Sequence, residues 1–290
     1  MSVIYKRIGI IGLGLIGGAL AGRIRQCFPT IQIEALDTDQ KSLDWAKVNG
    51  LIHQGFRSYE AWETPPDIVV IATPLSEEIM VFHELKRVWG NQPLVITDVW
   101  SIKQIIETQY QKSPDTWTCF GGHPMTGSEK SGVQYWKTVP IENAVYFLVP
   151  PTTPTPAYDQ WKAFVTALGF RVAETTAQAH DTNVGLTSHM PYFLAIALVN
   201  TLKEACKTDP NLSLFFGPGF KDMTRLAAGS VDWGTMVSFH NKDAIKKALN
   251  TLQNELETLK TQLINGAVPH TILPLLQDSQ TTRKKWFPNP

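Results

Sequence analysis

Three short segments of this chain combine residue types and spacings that suit chemistry. The first is Gly121-Gly-His-Pro-Met-Thr-Gly-Ser-Glu-Lys-Ser-Gly132. Its glycines permit backbone to approach a ligand closely, and it carries one imidazole, His123. A histidine is the natural group to polarise or deprotonate a hydroxyl while hydride leaves the carbon that bears it. The second is Thr97-Asp-Val-Trp-Ser-Ile-Lys103, a polar segment closing an apolar run. The third is Gly12-Leu13-Gly14-Leu15-Ile16-Gly17, a G-x-G-x-x-G triplet that follows the apolar run Ile8–Ile11 and opens a helical pattern at Ile16. In that setting Gly12 permits a tight turn and Gly14 lets backbone reach a pyrophosphate. Gly17 lets the helix pack on the strand, and the N–H groups of Leu15 and Ile16 at the helix start face the phosphates. Asp37, 20 residues past Gly17, closes the next apolar run. Its carboxylate suits the ribose hydroxyls of an adenosine and repels a 2′-phosphate, which favours NAD and leaves NADP open.

The elements that must position these segments follow from patterning. Short apolar runs alternate with helical stretches over residues 1–175, the βα signature of a parallel sheet. Expected strands are Arg7–Gly12, Gln32–Asp37, Asp67–Thr73, Pro93–Asp98, Thr118–Gly121, Ala144–Pro150 and Phe170–Thr175, with helices such as Ile16–Cys27 and Gln40–Val48 between them. The chemistry-bearing segments then all leave the carboxyl ends of strands, where an open α/β sheet has its ligand crevice. Thr73-Pro74 closes another strand at the same edge. From 176 to 290 strand runs give way to helical patterns: α/β first, all-α after. His180–Lys207 reads as one long helix kinked at Pro191. Asn241–Ile264 sets Ile245, Leu249, Leu252, Leu256, Leu259 and Leu263 at alternating gaps of four and three, a seam for packing within the domain or between two copies. Pro150–Pro156 is a stiff loop, and the polar tail Gln280–Pro290 a loosely held end.

Composition narrows the classes. Of 290 residues, 43% are apolar and 18% charged, which is a folding composition. Lys plus Arg and Asp plus Glu number 26 each, a balance that argues against a nucleic-acid partner. No apolar run approaches the ~18 residues a membrane helix needs, and the N-terminus reads as a strand rather than a secretory signal. Cys27, Cys119 and Cys206 are scattered and odd in number, fitting a cytoplasmic protein with neither a disulfide framework nor a metal site.

Together these motifs resemble the prephenate/arogenate dehydrogenase family of tyrosine biosynthesis. The matching stretches are GLGLIGGAL at 12–20, TDVWSIK at 97–103, GGHPMTGSEKSG at 121–132, HD at 180–181 with TSHMP at 187–191, and GFKDMTRLAAG at 219–229. The resemblance implies a Rossmann-type N-terminal domain and a helical C-terminal domain that forms a homodimer. It also implies NAD-dependent oxidative decarboxylation of a small cyclohexadienyl carboxylate, prephenate or arogenate. By the same resemblance His123 takes the proton of the ring hydroxyl, and Ser101 orients that group beside the nicotinamide. Arg225 binds a substrate carboxylate. Lys221 stands at i−4 from Arg225, so the two cations share a helix face; a solvated basic face is the competing reading. Ser128 and Glu129 match positions near the substrate side chain, and Ser188 and His189 a polar pair at the cleft or dimer contact. A structural histidine competes for His189, and is the reading taken for His180.

Two residues depart from the family pattern. Trp100 stands where a small residue is usual, placed to reshape the pocket. Tyr192 stands where many members carry a histidine. A dehydrogenase of hydroxy acids or imines, and a non-catalytic dinucleotide sensor, are the rival readings. The former lacks a suitably placed lysine, since Lys203 is too late in its helix; the latter is disfavoured by the Ser101, His123 and Arg225 set.

Overall fold

The computed structural model describes residues 5–128, 130–265 and 269–288. The chain forms two compact units, residues 1–242 and 243–290. In the first, an eight-stranded sheet is built from β1 (Arg7–Ile11), β2 (Gln32–Leu36), β3 (Gln54–Phe56), β4 (Ile68–Ile71), β5 (Leu94–Asp98), β6 (Trp117–Pro124), β7 (Val145–Val149) and β8 (Arg171–Glu174). The strand order is β3-β2-β1-β4-β5-β6-β7-β8. Every pairing is parallel except β6 with β7. The order reverses between β1 and β4, and a crevice opens there at the strands' carboxyl ends. Ile68–Ile71 is β-branched throughout and fully buried, as a central strand covered on both faces must be.

The crossover helices are α1 (Leu15–Cys27), α2 (Gln40–Val48), α3 (Glu78–Trp89), α4 (Gln104–Gln111) and α5 (Pro156–Ala167). Their starts are written in side chains. Asp39 accepts from the N–H groups of Lys41 and Ser42 at the head of α2. Thr155 accepts from Tyr158 N at the head of α5, where Pro156 takes the first turn. Ile8, Ile10, Ile33, Val70, Leu148 and Trp161 lie in one buried core between these helices and the sheet.

Three elements differ from expectation. β3 is an added edge strand, three residues long and centred on Gly55, too short for a periodic signal. β6 runs to Pro124 rather than stopping at Gly121. Its first half pairs with β5 and its second half, Gly121–Pro124, pairs with β7, so His123 stands on a strand and not in a loop. The expected long helix is divided into α6 (Ala177–Val184), a π turn over Gly185–His189, and α7 (Met190–Thr208). The π turn places Pro191 in the first turn of α7, where its missing N–H costs no helical bond.

The first unit closes with α8 (Pro218–Thr224) and α9 (Val231–His240). The second contains α10 (Lys242–Asn265), which carries the leucine seam, and α11 (Pro269–Trp286), which draws most of the basic tail into a helix. On α10, Leu256 is 51% exposed and Leu263 64%. No helix among the described residues is long and apolar enough to cross a membrane.

Candidate active site

A cleft of about 520 Å³ opens at the carboxyl edge of the sheet. Gly14, Leu15 and Ile16 line it from the head of α1, Thr73 and Pro74 from the end of β4, Trp100 and Ser101 from the end of β5, and His123 from β6. Residues of α9 form the opposite wall, Asp232, Trp233 and Met236 among them.

The glycine turn is shaped by space. Gly12 has φ +95°, and a Cβ there would meet the Ala72 backbone at 2.7 Å. A Cβ on Gly17 would lie 2.0 Å from Gly12 O, so the helix can pack this closely only on glycine. At Gly14, by contrast, a Cβ would meet nothing within 4 Å. That open approach, beside the unpaired leading N–H groups of α1, fits a pyrophosphate. Asp37 lies behind the turn, where Oδ2 accepts from Leu13 N at 2.6 Å and Oδ1 from Asp39 N at 2.8 Å. Each oxygen keeps a lone pair for a ribose hydroxyl.

His123 is fixed from behind. Its Nδ1 lies 2.8 Å from His180 Nε2, and His180 Nδ1 lies 2.8 Å from Asp181 Oδ1. Asp181 is buried and also accepts from the N–H groups of Lys103 at 2.8 Å and Gln104 at 2.9 Å. Burial works against its charge, but the hydrogen bonds from His180, Gln104 and Lys103 outweigh it and hold the carboxyl below its ordinary range. Burial, reinforced by His180, Lys103 and His189, pushes the His123 imidazole well below its ordinary value. The ring is therefore neutral at physiological pH, with Nε2 the nitrogen left for a ligand.

Under this row runs a second buried network. Lys103 Nζ pairs with Asp98 and donates to Gly122 O at 2.5 Å, while Tyr110 Oη donates to Asp98 Oδ2 at 2.6 Å. Gly122 has no room for a side chain, since a Cβ would meet Asp98 O at 2.4 Å. The β5 and β6 ends are thus tied together beneath His123.

Ser101 is held from the far wall: Trp233 Nε1 donates to its Oγ at 3.0 Å. Trp233 packs edge-on against Tyr192 and His189. Tyr192 packs on Trp233 and is not among the residues lining the cleft, and Gly234 leaves the space its hydroxyl occupies. Trp100 is buried, and its Nε1 donates to Thr73 O at 2.6 Å, locking the loop after β5 to the loop after β4.

The structure thus brings His123, Ser101, Gly14, Leu15, Ile16, Thr73 and Pro74 to one cleft, with Gly12, Gly17 and Asp37 in support. The other expected site residues are not among those lining this cleft. His189 is fully buried with Nδ1 against Asn241 Nδ2 at 3.1 Å. Ser188 is half-buried in the π turn, and Ser128 Oγ meets Thr138 Oγ1 at 3.1 Å. Lys221 and Arg225 are exposed, and α8 ends between them at Thr224. Glu129 lies outside the described residues. His180, read from sequence as structural, bonds directly to His123, and the adjacent HD pair at 180–181 was the signal. Trp233 and Asp232 gave no sequence signal. Among the described residues no group of three or more His, Cys, Asp or Glu side chains is placed to hold a metal ion.

The family model described as prephenate dehydrogenase, nucleotide-binding domain matches residues 20–174, and that described as prephenate dehydrogenase, dimerization domain matches residues 176–277. The chain belongs to the prephenate dehydrogenase family. Within that family it is 31% identical to the prephenate dehydrogenase of Bacillus subtilis over 90% of this chain and 71% of the relative. Among solved structures it resembles prephenate dehydrogenase from Aquifex aeolicus in complex with hydroxyphenyl propionate and NAD+, with 26% identity, TM-score 0.89 and coverage of 98% and 99% of the two chains. It also resembles Synechocystis arogenate dehydrogenase, with 26% identity, TM-score 0.76 and coverage of 97% and 99%. As a family member, this chain carries the nucleotide cleft and His123 on a Rossmann-type sheet followed by helices.

Proposed function

We propose that this chain is an NAD-dependent dehydrogenase that converts prephenate to 4-hydroxyphenylpyruvate with loss of CO₂. The observation that carries the reading is the cleft itself. A neutral imidazole and an anchored serine hydroxyl line the same cavity as the glycine turn of a dinucleotide site, in a chain of this family.

Gly14 and the head of α1 hold the pyrophosphate, and Asp37 the adenosine ribose. NAD+, when bound, accepts the hydride from the ring carbon that bears the hydroxyl. His123 Nε2 takes the proton of that hydroxyl as the carbon is oxidised. The carboxylate on the opposite ring carbon leaves as CO₂, its electron pair aromatises the ring, and His123 returns the proton to the resulting phenolate oxygen. Ser101 orients the hydroxyl. Trp100, Pro74 and Trp233 wall the cleft and limit water.

Lys221 and Arg225 are proposed as the cations for substrate carboxylate. Neither makes an ion pair among the described residues, so both charges stay available. The exposed leucines of α10 and the matching dimerization-domain model support a homodimer formed through the helical region. The charge balance and scattered cysteines support a cytoplasmic location.

The test is NADH formation by the purified chain with prephenate and with arogenate in parallel. Prephenate turnover that disappears in His123→Asn, with NAD affinity retained, is expected. Turnover of arogenate alone would move the assignment to arogenate dehydrogenase, a reading supported by the Synechocystis structure and by 23% identity to the Zymomonas mobilis cyclohexadienyl dehydrogenase. Turnover of neither substrate would refute both.

A further inference from the structure

We propose that His180 and Asp181 are positioning residues that fix the tautomer of His123, so that its Nε2 faces the cleft as a bare base. The inference rests on the dehydrogenase reading of the cleft and assigns a role to two residues outside it.

Donors and acceptors must alternate along the row from Asp181 to His123. Asp181 is buried and ionised, and a carboxylate only accepts. His180 Nδ1, 2.8 Å from Asp181 Oδ1, must therefore carry a proton. With that proton on Nδ1, the ring presents Nε2 to His123 as an acceptor. His123 Nδ1, 2.8 Å from that nitrogen, must donate to it. The remaining nitrogen of His123 is left without a proton. Each step fixes the next, and the row ends at a ring that lines the cleft.

The row is itself anchored. Asp181 cannot turn away, because the N–H groups of Lys103 and Gln104 at the head of α4 bind its two oxygens. Its own carbonyl accepts from Asn241 Nδ2 at 2.7 Å, which ties α6 to the end of α9. The His180 ring is clamped edge-on by Phe147, the β7 partner of His123. The other charged or titratable groups facing the row are Lys103, paired with Asp98, and His189. Neither offers His123 Nδ1 an acceptor.

Two substitutions separate tautomer control from packing. His180→Gln keeps an acceptor oxygen close to the place of Nε2, whereas His180→Leu keeps bulk and removes the acceptor. In His180→Leu, kcat is expected to fall about a hundredfold with KM for NAD unchanged. In His180→Gln, kcat is expected to stay within about fivefold of the parent. Imidazole ¹⁵N spectra of the parent at pH 7.5, without substrate, are expected to show His123 protonated at Nδ1 and bare at Nε2. A His123 proton found on Nε2 would overturn the proposal, even if His180→Leu failed to fold. So would equal losses in the Gln and Leu variants, or a Leu variant of parental kcat. Because the spectra need no substrate, failure of this inference is distinguishable from failure of the dehydrogenase reading.

Discussion

Trp233 Nε1 donates to Ser101 Oγ at 3.0 Å across 132 positions of sequence. The bond joins α9 to the loop after β5 and so fixes one wall of the cleft to the other. It also settles what the serine can do. With one lone pair held by the indole, the hydroxyl proton points away from α9. Trp233→Phe keeps the ring in its bed against Tyr192 and His189 but frees the serine. Losing one such bond is worth about 0.5–1.5 kcal/mol, a fall in kcat of roughly twofold to thirteenfold. Adding Ser101→Ala to Trp233→Phe should then cost less than Ser101→Ala alone. Steady-state kinetics of the double-mutant cycle check this, and strict additivity would argue against the coupling.

The glycine turn predicts opposite failures for two glycines of the same motif. Gly14→Ala meets no protein atom within 4 Å. It should leave the melting temperature within about 2 °C and raise KM for NAD about tenfold or more, since the methyl occupies the phosphate approach. Gly17→Ala meets backbone at 2.0 Å and must push α1 off β1. It should lower stability by about 2 kcal/mol or more. Thermal melts and NAD titrations of the two variants separate the effects.

Much of this architecture was legible because it rests on local patterning. The continuous β-branched run of β4, the helical stretches of α1 and α2, and the glycine turn are each decided within a few residues. What escaped depends on long-range pairing. β3 is held at the edge of the sheet by β2, and the extension of β6 through His123 exists only because β7 arrives antiparallel. His180 looked structural because nothing in sequence says that α6 stacks behind β6. Trp233 escaped because its indole finds Ser101 from a helix far along the chain. The Lys221–Arg225 pattern survives in sequence, but the helix ends between the two.

Glu78 heads α3 in a buried site where burial, with Asp98 adding and a hydrogen bond from Gln109 opposing, raises its carboxyl to about 7. One carboxylate oxygen has no partner. A raised folded-state pKa favours folding while the group is neutral. That contribution is fully present below the unfolded value near 4.5 and is lost as pH rises through about 7. The difference amounts to about 3 kcal/mol. Glu78→Gln should therefore be more stable than the parent at pH 8, by about 1–3 kcal/mol, with the advantage gone by pH 4.5. Urea unfolding at both pH values measures it, and a variant less stable than the parent at pH 8 would reject the assignment.

His189 has the opposite sign. Burial carries its imidazole down to about 4, a lowering that His180 adds to and Asp181 opposes. Above pH 6.5 both folded and unfolded states hold it neutral, so it adds no slope there. Between 6.5 and about 4 the unfolded chain binds a proton that the folded chain refuses, and stability falls by up to about 3 kcal/mol. His189→Asn keeps an acceptor for Asn241 while removing the titration. It should be less stable than the parent at pH 7.5, yet lose less stability on acidification to pH 4.5.

The same depression at His123 sets the activity profile. Protonated His123 cannot take the substrate's proton, so kcat must fall on the acid side as the ring titrates. Burial comes first among the causes that hold it well below 6.5, followed by His180, Lys103 and His189. Turnover should therefore stay level as pH is lowered from 8 to 6.5, and the acid limb should appear only below that value. Saturating NAD and substrate isolate kcat from binding. If the limb instead centred at or above pH 6.5, His123 would be titrating as an ordinary solvated imidazole, in conflict with its half-buried place in the cleft against His180.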